Sequence, residues 1–337
     1  MKPRMIIPLL LVVLIVTALI SLSLGRYPVS LNDLAGFIGQ QLSGQPAPDS
    51  RRFQILKNIL VDIRLPRISA AVLIGAGLSV SGATFQSMFL NPLVSPGLLG
   101  VLAGASFGAA VGMILAENWF WVQLGAFSFG LIAVFAAVGM SVLNRSDRLL
   151  MLILGGIISG ALFTSLLSVV KYLADPYEQL PAIVYWLMGG LNAVDRITVL
   201  AASGPIVGGI IILLLLSGYL NVLSMGDEEA RSLGVNVVLL RLLFIFLATV
   251  ISALTVVMGG IIGWVGLLIP HIARMIVGPD NRVLLAAAGI IGAIYLLIAD
   301  NIARLMFAVE IPIGILTSLV GIPFFAFILR KAKKGWN

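Results

Sequence analysis

The sequence has no cysteine and a single histidine, His271. Disulfides, thiolate metal sites and cysteine nucleophiles are thereby excluded, as is any centre built from several histidines. Charge is scarce too. Asp, Glu, Lys and Arg make up 10% of the chain, against roughly 25% in soluble domains. There is no GxxxxGK[ST] phosphate loop, no HExxH and no Ser/His/Asp constellation. The chain is therefore read as a non-enzyme, and a function driven by ATP would need its nucleotide site on another subunit. The formal charge of +7 is not gathered into basic runs interleaved with aromatics, so nucleic acid is not expected as a partner.

What the sequence has is apolar length. Hydrophobic residues make up 60% of it, gathered into ten stretches near 5–24, 68–90, 97–116, 118–142, 149–170, 197–218, 238–258, 261–275, 283–303 and 311–330. About 20 mostly apolar residues suffice to cross a bilayer as a helix. The expectation is an all-α polytopic membrane protein, a single domain over 1–337, because no connector is long enough for a second one. Met5–Leu24 follows Lys2 and Arg4 as a secretion signal would. Its apolar region is long, however, and no small-x-small site follows near Gly25–Tyr27, so it is read as a retained first helix. Leu242–Pro270 runs 29 residues without a charge, too long for one upright span, and is divided at Gly259–Gly260.

The positive-inside rule tests this count. With the N-terminus in the cytoplasm, inside segments hold twelve basic residues and five acidic ones, a net of +7, while outside connectors balance at nine of each. Both termini inside, with ten spans, satisfies the rule. Two outside connectors are long. Gly25–Arg67 contains Pro28, Pro46 and Pro48 and is expected to lie over the surface. Lys171–Arg196 carries Tyr172, Tyr177, Tyr185 and Trp186, residues suited to the membrane interface.

Few ionisable residues fall within the spans. Asp300, Arg304 and Glu310 sit at the outer end of spans nine and ten, and His271 near the inner surface, where a structural role is expected. Ion-coupled carriers often place carboxylates or histidines at mid-depth, so a secondary transporter is the weaker alternative. Glycines recur inside spans, including Gly75, Gly77 and Gly82, Gly100, Gly104 and Gly108, and Gly155, Gly156 and Gly160. Such spacing allows close helix packing or a passage whose walls move. Asn91–Gly97, with Pro92 and Pro96, reads as a rigid turn.

The most distinctive inside connector is 224–235. Ser224 followed by Asp227 resembles a capping box. Asp227, Glu228 and Glu229 would complement the positive end of a short helix and Arg231 its negative end. Gly234 suits a left-handed stop. The pattern is that of a charged knob for a cytoplasmic partner, or of an ordinary capped loop.

This segment resembles the coupling loop of FecCD-type permeases, the membrane subunits of binding-protein-dependent importers for iron chelates, haem and cobalamin. Asp62–Arg67, Gly75–Leu78 through Gln86 with Asn91–Gly100, Gly263–Arg274 and Glu310–Gly314 are similar to further motifs of that family, in the same order. The resemblance implies a type II ABC importer architecture of ten helices per subunit. It also implies a second permease subunit, most simply a homodimer in lipid, in a bacterial cytoplasmic (inner) membrane. The implied partners are two copies of a cytoplasmic ATPase, which carry ATP and Mg²⁺, and an extracytoplasmic substrate-binding protein. This chain itself would bind no cofactor or metal. Gly226, Asp227, Glu228, Glu229, Ala230, Arg231, Leu233 and Gly234 would form the ATPase-coupling segment. Arg64, Arg67 and Arg304 match positions that meet acidic residues of the binding protein. Ser146 and Asp147 would lie near the inner gate, and Gly155, Gly156 and Gly160, with Ile313–Leu319, beside the pathway. The substrate implied is a metal chelate (ferric siderophore, haem or cobalamin), with molybdate or tungstate as the alternative.

Overall fold

The computed structural model describes residues 3–43, 51–116, 118–143 and 148–332, and helices are the regular elements among them. Seven helices are long and apolar enough to cross a membrane, and three shorter apolar ones accompany them. Together they account for the ten stretches expected from sequence. In chain order, α1 is Pro3–Ser23, α2 Leu31–Ser43, α3 Arg51–Lys57, α4 Leu65–Met88 and α5 Val101–Leu115. Next come α6 Trp119–Leu143, α7 Arg148–Leu173, α8 Gln179–Leu187, α9 Arg196–Leu215 and α10 Ser217–Leu223. The last five are α11 Asp227–Ser232, α12 Val237–Gly259, α13 Val265–Val277, α14 Asn281–Leu305 and α15 Ile313–Ala332.

The hub is α4, buried along nearly its whole length and packed against α9, α12, α13 and α14. Its composition explains this. Lipid supplies no hydrophobic drive between helices, so close approach of small residues must hold them together. A Cβ on Gly75 would lie 2.2 Å from the Gly292 carbonyl oxygen of α14, which leaves no room for a side chain. By contrast α1 is peripheral, and most of its apolar side chains face outward.

One expectation needs correction. The stretch Asp62–Arg67 does not precede the second span. It lies inside a continuous helical run from Arg51 to Met88, joined by a π-helical stretch over Asn58–Arg64 in which the Leu65 amide donates to the Leu60 carbonyl. The wider coil falls just before Pro66, which has no amide hydrogen to give. The connector before it is also folded: Val29, Leu34, Phe37, Phe53, Leu56 and Leu60 form a small core between α2 and α3. Ser30 caps α2 by accepting from the Asp33 amide. Its hydroxyl, donated to the Asp33 side chain, is the main cause that holds that carboxyl below its usual range.

The division of 242–270 at the glycine pair is observed. α12 ends at Gly259, the chain is non-helical over 260–264, and α13 is only 13 residues long, about 20 Å. Irregular backbone at membrane depth requires protein cover. Ile262 is buried, and Trp264, in a left-handed conformation, packs against the bare face of Gly321.

Candidate functional site

One end of the bundle carries α11. Its six residues begin after Gly226, whose φ of 115° starts the helix without a side-chain cap. Ser224 is therefore not the capping residue; its hydroxyl donates back to the Asn221 carbonyl. The stop is at Gly234, with φ of 78°. α11 is held on one face and open on the other. Asp227 accepts two hydrogen bonds from the Arg241 guanidinium of α12, at 2.6 and 2.9 Å. Ala230 is fully buried, and its carbonyl accepts from the Val235 amide. Glu228, Glu229, Arg231, Leu233 and Gly234 are exposed, beside the exposed Met225. Nearby, Asn221 of α10 donates to Asp280 and accepts from Asn281, which in turn accepts from Ser87 of α4.

At the opposite end lie Arg64, Arg67 and Arg304. The structure brings all three together, yet none is more than 8% exposed. Arg64 donates to the carbonyls of Leu22, Ser23 and Tyr27, closing the end of α1. Arg67 bonds Asp300 at 2.8 Å and forks onto Glu310 at 3.0 and 3.1 Å. Arg304 Nε lies 3.1 Å from the second Asp300 oxygen, an ion pair without hydrogen-bond alignment, and its fork donates to Asn301. Asn301 donates to Ser21 of α1. Two cations and two anions thus form one buried cluster across α4, α14 and the lead into α15. A charge taken out of water demands this kind of pairing.

Between this cluster and α8 lies a cavity of about 480 Å³, with Arg67, Glu310, Trp119, Gln123, Tyr185 and Trp186 among its lining residues. Its wall includes a junction of bare backbones. The Gly190 amide donates to the Gly259 carbonyl at 2.9 Å, and a Cβ on Gly260 would lie 2.4 Å from the Trp186 carbonyl oxygen. Gly189 and Gly260 both take positive φ, 69° and 65°. The end of α8 is thereby seated directly on the end of α12. Neither the cavity nor the Asp227–Arg241 pair was expected from sequence. Position of Arg241 one turn inside an apolar helix was the available signal.

The remaining site residues are dispersed. Ser146 and Asp147 lie outside the described residues. Gly155 and Gly156 face neighbouring backbone: their Cβ atoms would meet Ala137 O at 2.7 Å and Leu98 O at 2.4 Å. Gly160 approaches Gly100. The exposed face of α7 is instead Leu154, Ile157, Ile158, Ala161 and Leu162. His271 packs against Phe324 and Phe325. Among the described residues, no group of three or more His, Asp or Glu side chains is placed to hold a metal ion.

Comparison with known proteins agrees with the helix arrangement. The model of the FecCD transport family matches residues 13–331. The molybdate import permease MolB of Haemophilus influenzae is 40% identical over 328 residues, covering 97% of this chain and 95% of MolB. The hemin transport permease HmuU of Yersinia pestis is 35% identical over 341 residues, covering 99% and 97%. A solved structure described as a metal-chelate type ABC transporter in an inward-facing conformation superposes with a TM-score of 0.86. It is 38% identical and covers 97% of this chain and 99% of that one. With its helices, motifs and nearly its whole length matched, the chain belongs to the FecCD transport family of ABC importer permeases.

Proposed function

We propose that this permease works as a homodimer with two copies of a separate ATPase and an extracytoplasmic binding protein, and that it imports a metal chelate. The reading rests on α11: a short helix held from beneath by Asp227 and Ala230 while Glu228, Glu229 and Arg231 face outward, in a chain with no phosphate loop. Placed in the cytoplasm with both termini, α11 is the surface that receives nucleotide-driven motion. The α8 end then faces the binding protein, which hands substrate to the dimer. Closure of the ATPases shifts α11, the spans exchange access between the two sides, and the substrate leaves inward.

Direct docking through Arg64, Arg67 and Arg304 requires each to exchange an internal partner for a carboxylate of the binding protein. Arg67 is the one of the three that reaches the cavity. Its planar fork is suited to that exchange.

The spans place no Asp, Glu, Lys or Arg at mid-depth. Such walls pass a bulky chelate without holding it, and selectivity then falls to the binding protein. The oxyanion reading is favoured by one observation, the 40% identity to a molybdate permease over 97% of this chain. Liposomes containing the permease with its ATPase, each candidate binding protein supplied in turn, test both. ATP-dependent uptake of a radiolabelled ferric chelate is expected. Uptake of molybdate instead keeps the mechanism and moves the substrate to the oxyanion branch, whereas uptake without ATP overturns the mechanism.

A further inference from the structure

We propose that the Asp227–Arg241 pair makes α11 and α12 move as one piece, and that α12 carries this displacement to the cavity at the far end. The proposal rests on the reading of α11 as the ATPase-docking helix. Only Leu233–Asn236 join the two helices, and Gly234 lies among them in a left-handed turn. The Gly234 and Val235 amides tie the link to Arg231 and Ala230 of α11, and Asn236 caps α12, so the link is fixed to each helix separately. The ion pair joins the two helices directly. Its two near-parallel bonds define orientation as well as distance, and the Arg241 side chain is only 13% exposed. Its Nε is buried with no hydrogen-bond partner, so the fork depends on Asp227.

α12 is suited to carry the motion. It runs 23 residues with no proline, and its one glycine is the last residue, Gly259, which gives an unbroken rod of about 35 Å. Proline interrupts α9, α13 and α15, at Pro205, Pro270 and Pro323. At its far end Val257, Met258, Gly259 and Gly260 line the cavity. There the Gly190–Gly259 hydrogen bond and the bare Gly260 place α8 on the tip of the rod. A shift or tilt of α12 therefore meets backbone, with no flexible side chain between to absorb it. The second connection from α11, through α10 and Asn221 to α14, leads to Asp300, which meets the cavity lining through the side chain of Arg67, whereas α12 meets it through backbone.

Arg241→Met keeps the apolar stem and removes the fork. In the complete importer reconstituted in liposomes, the variant is expected to retain its ATPase subunit and to hydrolyse ATP. Uptake per ATP hydrolysed should fall at least tenfold, and Arg241→Lys, which keeps charge without the fork, should fall between. The exchange Asp227→Arg with Arg241→Asp should recover part of the ratio. A merely structural arginine lowers uptake and hydrolysis in proportion, leaving the ratio unchanged, and that result overturns the proposal. Loss of the ATPase from Arg241→Met also overturns it, because Arg241 would then act on docking and not on transmission. Failure of the docking reading itself is separately visible, as normal ATPase association after charge reversal at Glu228 and Glu229. Should Arg241→Met not assemble, the ratio in Arg241→Lys decides alone.

Discussion

Replacing Glu228 and Glu229 together with lysine is expected to lower co-purification of the ATPase subunit at least tenfold and to reduce ATP-driven uptake to background. The permease itself should remain folded. Both side chains are exposed, and neither carboxylate enters an ion pair among the described residues. Within the chain the substitution acts mainly on the positive end of α11, where each reversal loses a contribution of about 0.3–1 kcal/mol and adds a repulsion of similar size. The Asp227–Arg241 bonds and buried Ala230 still hold the helix in place. At an interface the same change replaces charge-assisted hydrogen bonds, worth about 1.5–3 kcal/mol each, with repulsion from whatever cations faced the carboxylates. A tenfold loss needs only about 1.4 kcal/mol. The check is affinity purification of the full importer alongside size-exclusion chromatography of the permease alone. An unchanged ATPase ratio would remove α11 from the docking surface.

The ten spans were legible because apolar length and connector charge are written directly into the chain, and the Gly259–Gly260 pair marked the one ambiguous run. Interruptions set by backbone geometry were harder to read. Ser224 with Asp227 has the spacing of a capping box, yet Gly226 takes a conformation that starts the helix itself. The connector after α1, with Pro28, Pro46 and Pro48, reads as chain lying over the surface. Phe37 and Phe53 nevertheless close on each other at 5.3 Å and give it a core. The arginines illustrate a further limit. Their identity and common end could be recognised, but the partners of Arg67 stand 233 and 243 positions away, beyond any local pattern. Only Asp300–Arg304, four residues apart on one helix, left a local signal. The sequence pattern thus indicated which residues carry charge at that end, and the packing decided that they face inward.

That inward arrangement makes Asp300 the position where a single change should be most damaging. Its side chain is 1% exposed, between Arg67 on one side and Arg304 on the other. Asp300→Leu leaves two cations near one remaining carboxylate, Glu310, whose side chain is 26% exposed. Removing one partner of a buried ion pair costs about 3–5 kcal/mol, a large share of the 5–15 kcal/mol typical of a folded domain. The variant is expected to lose its monodisperse peak in detergent and to unfold well below the parent temperature. The double change Asp300→Leu with Arg304→Leu tests the cause. It removes the cation left without a partner and preserves the Arg67–Glu310 fork, so it should recover part of the stability despite carrying more substitutions. If the double variant is no more stable than the single one, the loss comes from packing around α14. These internal bonds also decide which variants can report on docking. Charge reversal at Arg67 breaks bonds to Asp300 and Glu310 before any partner protein is met, so weaker binding by Arg67→Glu would not identify a contact. Glu310→Gln is the gentler probe. It preserves shape at a partly exposed position, leaves the Arg67–Asp300 bond intact, and should cost much less stability than Asp300→Leu.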